Sequence, residues 1–459
     1  MAMATSSANQ GRSSRRCLKL LLLPWLAYGH ISSYLQLAKR LSRRDFTVFL
    51  VSTPASLATL ETRVTEEGTA KIHLVEIYLP ARPHLPPHYH TTKTIPPRLN
   101  DALMAAFDKA GPMLSSIISN VAPDLLVYDV LLPWAPTIAR SHGIPAVLFS
   151  TVNALTVSLA MHMRNRKGQE YPFKLNLAPG FRSSSRKNEQ SSSGVTEGNG
   201  LSFVERCLLC MEGSSEIILI KSFRELEEKH MDYFSSLSGK KIIPVGPLVP
   251  DPGERDEEQA SNLIAWLDEK DQSSTVFVSF GSECFLDEKE LEEMAYGMDI
   301  SNVNFIWVIR FPLGEEIALE DALPCGFLER VGNRGMLVEK WAPQARILAH
   351  PSVGGFVSHC GWGSVTESMS FGVPIIAVPM HLDQPLNARI IEEAGVGERV
   401  RMDEGGRLDR NEIARAVKHV LIDDEGESAR EKAREIGEMI RSRGDAEIDH
   451  LVLELNKIF

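Results

Sequence analysis

Short apolar runs alternate with helix-period segments along almost the whole of this chain, and that rhythm constrains its fold more than any other feature. The runs are LKLLLL, FTVFLVS, KIHLVEI, DLLVYD, PAVLFS and EIILI in the first half, then TVFVSF, NFIWVIR, GMLVEKW, GGFVSH and PIIAVP in the second. Runs this short and apolar predict strands buried on both faces, joined by helices that cross over and return parallel. A chain of 459 residues exceeds one ordinary core. The pattern therefore predicts an α/β protein of two doubly wound domains facing a cleft. From Pro244 to Ser261, PVGPLVPDPGERDEEQAS breaks the periodicity with four prolines and an acidic run, which reads as a linker. The expected division is a disordered tail over 1–16, a first domain over 17–248, a linker over 249–260 and a second domain over 261–440. A terminal helix over 441–459 is positioned to pack back on the first domain. The stretch from Gly180 to Gly200 is too polar to bury and reads as a mobile surface loop.

Charge and cysteine content narrow the function classes. The 49 basic and 60 acidic residues give a net charge of -11, which argues against nucleic acid or an anionic membrane as partner. A small anionic ligand remains compatible, because helix N-termini bind phosphate whatever the overall charge. Six scattered cysteines suit a reducing compartment, and the cytosol is the expected location. Cys207 and Cys210 form a C-x-x-C inside a helical run and read as core-facing thiols, since no second pair stands at zinc spacing. RSSRR before CLKLLLLPWLA has the outline of a signal peptide. Its apolar run is short, holds Pro24 and leads straight into the amphipathic helix ISSYLQLAKRL, so a first strand is the better reading. No segment reaches the ~20 apolar residues that span a bilayer.

The stretch from Trp341 to Gln384 carries the most chemistry. GGFVSH reads as a strand, CGWGS as a glycine-rich turn and VTESMSFG as a helix, so backbone amides of the turn can converge on an anion. Gly361 and Gly363 admit close approach, Ser364 offers a hydroxyl and His359 a ring donor. A diphosphate fits such a pocket. This stretch resembles the signature box of plant UDP-dependent glycosyltransferases, inverting enzymes whose box begins WxPQ, carries HCGWNS and ends in DQ. The rest of the chain is similar to that family's plan of two Rossmann-like domains, the GT-B type.

The resemblance implies that Trp341 stacks on uracil with Ala342 beside it, that Gln344 helps fix the nucleoside, and that Glu367 accepts from both ribose hydroxyls. It implies that His359, Ser364 and Ser282 hold the phosphates, and that Trp362, Asp383 and Gln384 contact the sugar. A terminal Gln accompanies glucose in this family, so UDP-glucose is the expected co-substrate, with no further cofactor and no metal. Gly363 departs from the pattern, standing where the family usually has Asn. The loss of that amide predicts weaker or more permissive donor binding than an Asn would give.

Inverting transfer needs a base for the acceptor hydroxyl. His30, in PWLAYGHISSYL, lies just after the first strand at a helix start, where the dipole disfavours imidazolium and should keep the ring neutral. A lone His there is more often a capping group. Asp129, after DLLVY, reaches the same carboxyl edge and can accept the ring N–H. The family's catalytic pair occupies these two motifs. His84, His88 and His90 crowd one proline-rich loop without a completing carboxylate or Cys, and Cys360 lacks an orienting partner, so neither reads as a metal or nucleophile site. PWLAYGH, HTT and YDVLLPWA resemble the family branch that extends sugars on flavonoids, terpenoids and related glycosides. A monomer acting on a small-molecule glycoside is the resulting expectation. Direct glucosylation of an aglycone is the alternative, and so is a relative using UDP-glucuronic acid. A nucleotide-sugar-binding protein without turnover would lack the His/Asp pair. A nicotinamide dehydrogenase would show G-x-G-x-x-G after the first strand, which is absent here. A sugar-nucleotide epimerase's catalytic residues have no visible counterpart.

Overall fold

The computed structural model describes all residues except 1–16, 61–63, 65–69, 176–199, 254–257, 313–316, 340 and 404. The expected tail and nearly all of the expected Gly180–Gly200 loop therefore lie outside the described residues. Two parallel sheets account for the architecture. The first has seven strands in the order β3-β2-β1-β4-β5-β6-β7, and the second six in the order β10-β9-β8-β11-β12-β13. The strands are β1 Lys19–Leu23, β2 Thr47–Ser52, β3 Ile72–Glu76, β4 Leu125–Asp129, β5 Ala146–Ser150, β6 Ile217–Ile220 and β7 Lys241–Pro244 in the first sheet. In the second they are β8 Thr275–Ser279, β9 Asn304–Ile309, β10 Gly335–Glu339, β11 Val353–Ser358, β12 Ile375–Ala377 and β13 Gly397–Arg399. All eleven apolar runs became strands. LKLLLL forms β1, in register between β2 and β4, with Leu20–Leu23 fully buried.

The two strands missed by the apolar pattern, β7 and β13, are the far edges of their sheets. Each is three or four residues long and pairs on one side only, so neither needs a run of large apolar side chains. Pro244 closes β7 without breaking the ladder, as an edge position permits. Regular structure thus enters the stretch read as a linker from both ends, since a helix begins at Glu258.

Parallel strand order reverses between β1 and β4 in the first sheet and between β8 and β11 in the second. Open sheets of this type bind ligands beyond the carboxyl ends of the strands at such reversals. The chain ends in two helices, Glu427–Arg443 and Ala446–Leu455. The second buries Ile448, Leu451 and Leu455 in the core of the first sheet, beside Leu20, Tyr34 and Leu125. Arg44 anchors its outer face through Asp449 at 2.7 Å. Apolar contact also joins the halves directly, because Leu155 and Phe223 share a core with Cys360, Trp362 and Met369. Among the described residues no helix is long and apolar enough to cross a membrane.

Candidate functional site

Between the carboxyl edges of the two sheets lies a cavity of about 390 Å³. On the first-sheet side, the chain leaves β1 through PWLA and enters the helix Tyr28–Ser42, with His30 on its opening turn. His30 Nδ1 lies 2.9 Å from Oδ2 of Asp129, the fully buried last residue of β4. Adjacent strands at the reversal bring the two motifs together. A carboxylate only accepts, so Nδ1 carries the proton and Nε2 keeps its lone pair. The ring retains 24% side-chain exposure, enough for a ligand to reach it.

The electrostatics differ from the helix-start expectation. Burial pushes the His30 imidazole down, but Asp129 opposes it through charge and hydrogen bond, and the carboxylates of Glu283 and Asp383 add to that pull. The balance is a pKa above the ordinary 6.5. Acidic neighbours on both sides of the cleft outweigh desolvation, so the shift runs opposite to the one expected from the helix dipole alone. Thr151, one residue past β5, was not singled out in the sequence, yet its hydroxyl stands 3.0 Å from the same Nδ1. The rule that strand ends face the ligand could have found it.

On the second-sheet side, Ser282 follows β8 and His359 follows β11, the two strands of that reversal. The turn after β11 leads into the helix Trp362–Phe371, whose N-cap is Gly361. The residue that takes the left-handed backbone there is Cys360, at φ +65, while Gly361 is at φ -58. Gly361 is required for a different reason. A Cβ on it would stand 2.5 Å from His359 Nε2, and one on Gly281 would stand 2.6 Å from Cε1 of the same ring. Two bare backbones thus clasp the imidazole. Burial, with help from His381, depresses His359 to about 4 against a small opposing pull from the Ser279 backbone, so it stays neutral and offers an N–H.

Gln344 Nε2 donates to Ser364 Oγ at 3.1 Å and to Glu367 Oε2 at 2.7 Å, joining three of the expected nucleoside and phosphate residues. Trp341 is 36% exposed at the cavity mouth, and Ala342 behind it is buried. Two residues expected at the sugar line the cavity and also make bonds within the protein. The Trp362 indole donates to the Lys221 carbonyl at 2.6 Å and is buried at the junction of the halves, so position 362 offers the cavity its backbone instead of its ring. The Gln384 carboxamide oxygen accepts from the Met380 and His381 N–H groups, both at 2.9 Å, and holds that turn. Asp383 lines the cavity, and burial raises its pKa against hydrogen bonds that include Asn387.

Asn387 escaped the sequence reading, being an interior helix residue with no local signature. Fully buried, it donates to the Cys360 carbonyl at 2.8 Å and to Asp383 at 3.0 Å, and accepts from Asn153 of the first half. It therefore fastens the strained turn and the junction at once. Asn387→Leu is expected to lower stability by about 2 to 3 kcal/mol, because several buried polar groups lose their partner, and calorimetric unfolding with and without UDP checks it. An unchanged melting temperature would contradict this role.

Gly363 has open space except toward Lys221, whose Nζ lies 3.7 Å from where a Cβ would stand. His84 and His88 are exposed, whereas His90 is buried with Nε2 3.1 Å from the Leu85 carbonyl, and among the described residues no group of His, Cys, Asp and Glu could hold a metal ion. Cys207 and Cys210 are buried free thiols on the helix Phe203–Gly213, and burial pushes both pKa values up. Cys360 is likewise buried and raised.

Known proteins resemble this chain in sequence and fold. Residues 18–250 match the family described as "Glycosyltransferase, N-terminal domain", and residues 253–439 match "UDP-glucoronosyl and UDP-glucosyl transferase". A mogroside IIIx synthase of Siraitia grosvenorii is 47% identical over 99% of this chain and 95% of its own length. A beta-D-glucosyl crocetin beta-1,6-glucosyltransferase of Gardenia jasminoides is 45% identical over 95% of this chain and 98% of its own. Among solved structures, Phytolacca americana UGT2 complexed with UDP-2fluoro-glucose and pterostilbene superposes with a TM-score of 0.75 at 28% identity, covering 96% of this chain and 99% of that one. With two family domains matched in order and close to half the residues shared end to end, this chain belongs to the plant UDP-glycosyltransferases.

Proposed function

We propose that this protein transfers glucose from UDP-glucose, with inversion, to a sugar hydroxyl of a small plant glycoside. The observation that carries the mechanism is the His30–Asp129 pair opposite the turn that begins at His359, across one cavity. His30 Nε2 takes the proton of the attacking hydroxyl, and Asp129 holds the ring and balances the imidazolium that forms. The acceptor oxygen bonds to the anomeric carbon as the bond to UDP breaks. His359, Ser364, Ser282 and the N-terminus of the helix Trp362–Phe371 receive the charge that develops on the diphosphate. Trp341 and Ala342 take the uracil, Gln344 and Glu367 the ribose, and Asp383 with Gln384 the glucose. In this reading the chain acts as a monomer in the cytosol, where its six free cysteines stay reduced.

A glycoside acceptor is supported by the relatives. The Gardenia protein is named for adding glucose to a glucosyl group, and the wall around His30, made by Trp25, Tyr28, Val130, Leu131 and Val152, suits an apolar aglycone carrying a polar sugar. Incubation with UDP-glucose and paired aglycones and monoglucosides tests the reading. Glucose is expected on the sugar of the monoglucosides, and activity confined to aglycones would reject it.

A further inference from the structure

Lys221 stands one residue past β6, on the first half of the chain, yet its ammonium lies in the same cavity as His359, Ser364 and Glu367. Its backbone is fastened twice. The N–H donates to the Ser150 carbonyl at 2.9 Å, and the carbonyl accepts from the Trp362 indole at 2.6 Å. The residue is 4% exposed, and among the described residues the hydrogen bond of its ammonium is to Ser33 Oγ at 3.1 Å. Ser33 in turn donates to the Gly29 carbonyl at 2.8 Å, which turns its lone pairs toward the lysine.

A cation this buried is costly unless something negative completes its shell. Burial depresses Lys221 to about 8, and the attraction of Glu367 offsets only part of that. At neutral pH the ammonium is still charged, with donors left over and the N-terminus of the helix Trp362–Phe371 facing the same space. Its tip is 3.7 Å from the missing Cβ of Gly363, so it occupies the room that an asparagine at 363 would take.

We infer that Lys221 binds the donor's diphosphate from the acceptor side of the cleft, supplying the contact that Gly363 cannot. This rests on the UDP-sugar reading above and deepens it. A charged donor crossing the junction also gives the diphosphate a direct part in holding the two halves together. Gly363 is then no defect of the site but the space in which the lysine works, and restoring asparagine there brings a side chain against the ammonium.

Calorimetric titration of the full chain with UDP-glucose and, separately, with uridine tests this. Lys221→Met is expected to weaken UDP-glucose binding by about 10- to 100-fold, the size of a lost charge-assisted contact to phosphate. Uridine carries no phosphate, and its affinity is expected to be unchanged. Gly363→Asn alone should not tighten UDP-glucose, whereas in the Lys221→Met background it should recover part of the loss. An unchanged UDP-glucose affinity in Lys221→Met overturns the inference, and so does an equal loss for uridine, which would mark a merely structural lysine. Failure of the unaltered chain to bind UDP-glucose would overturn the functional reading itself, and this inference with it.

Discussion

His30→Ala is expected to lower kcat by about a thousandfold, inside the range of roughly 10²–10⁴ that a positioned general base contributes, while UDP binding stays near its original strength. The two outcomes separate because the imidazole sits on the first-sheet side of the cavity and the expected uridine and phosphate residues on the other. Single-turnover measurement with a saturating glycoside isolates the chemical step. Retention of more than about a tenth of the original turnover would remove His30 as the base, since so small a loss is below what proton abstraction supplies.

The same pair sets a pH signature. The base must be neutral to act, and the His30 pKa is raised above its usual 6.5. Activity should therefore fall as pH drops through that raised value, with kcat/KM reporting the ligand-free enzyme. Asp129→Asn removes the strongest pull toward the charged form and leaves burial dominant, so the acid limb should move to lower pH even as the maximal rate falls. A limb that stays in place would mean that the titrating group is not the imidazole held by Asp129.

Much of this architecture is legible before any coordinates, and the reasons are physical. Every interior strand advertises itself, because burial on both faces demands a largely apolar run such as the LLVY of β4 or the VFV of β8. Edge strands β7 and β13 carry no such demand and disappear into their surroundings. The site follows the same division. Asp129 ends an interior strand, and His30, Ser282 and His359 follow interior strands, so a chain reading can assign them to carboxyl edges. That β1 neighbours β4, and β8 neighbours β11, is a fact of strand order that no local pattern encodes. Thr151 and Lys221 occupy equivalent positions after β5 and β6, and were passed over because a lone Thr or Lys after a strand has no distinguishing chemistry until its neighbours are known. Asn387 is beyond sequence reasoning altogether. Its importance comes from Asn153, Cys360 and Asp383 meeting at one amide.

The glycines of the CGWGS turn, alike in the sequence, have different roles in the fold. Gly361→Ala is expected to weaken UDP-glucose binding by about 30-fold, equivalent to roughly 2 kcal/mol, and to lower turnover with it. The added methyl would stand 2.5 Å from His359 Nε2, and the same Nε2–Cε1 edge of the ring also lies against Gly281, where an added Cβ would meet Cε1 at 2.6 Å, so the ring has little room to adjust. Either the imidazole rotates away from the cavity or the turn shifts, and both misalign the donors at the helix N-terminus. Since His359 is depressed to about 4, it is neutral throughout the range from pH 5 to 8, and the penalty should be independent of pH there. Gly363→Ala should cost much less, because its methyl would meet only the Lys221 ammonium at an ordinary 3.7 Å. Titration with UDP-glucose at several pH values distinguishes the two sites. Equal losses at both would show that the turn needs backbone freedom at each glycine, and that the clasp on His359 is not what makes Gly361 indispensable.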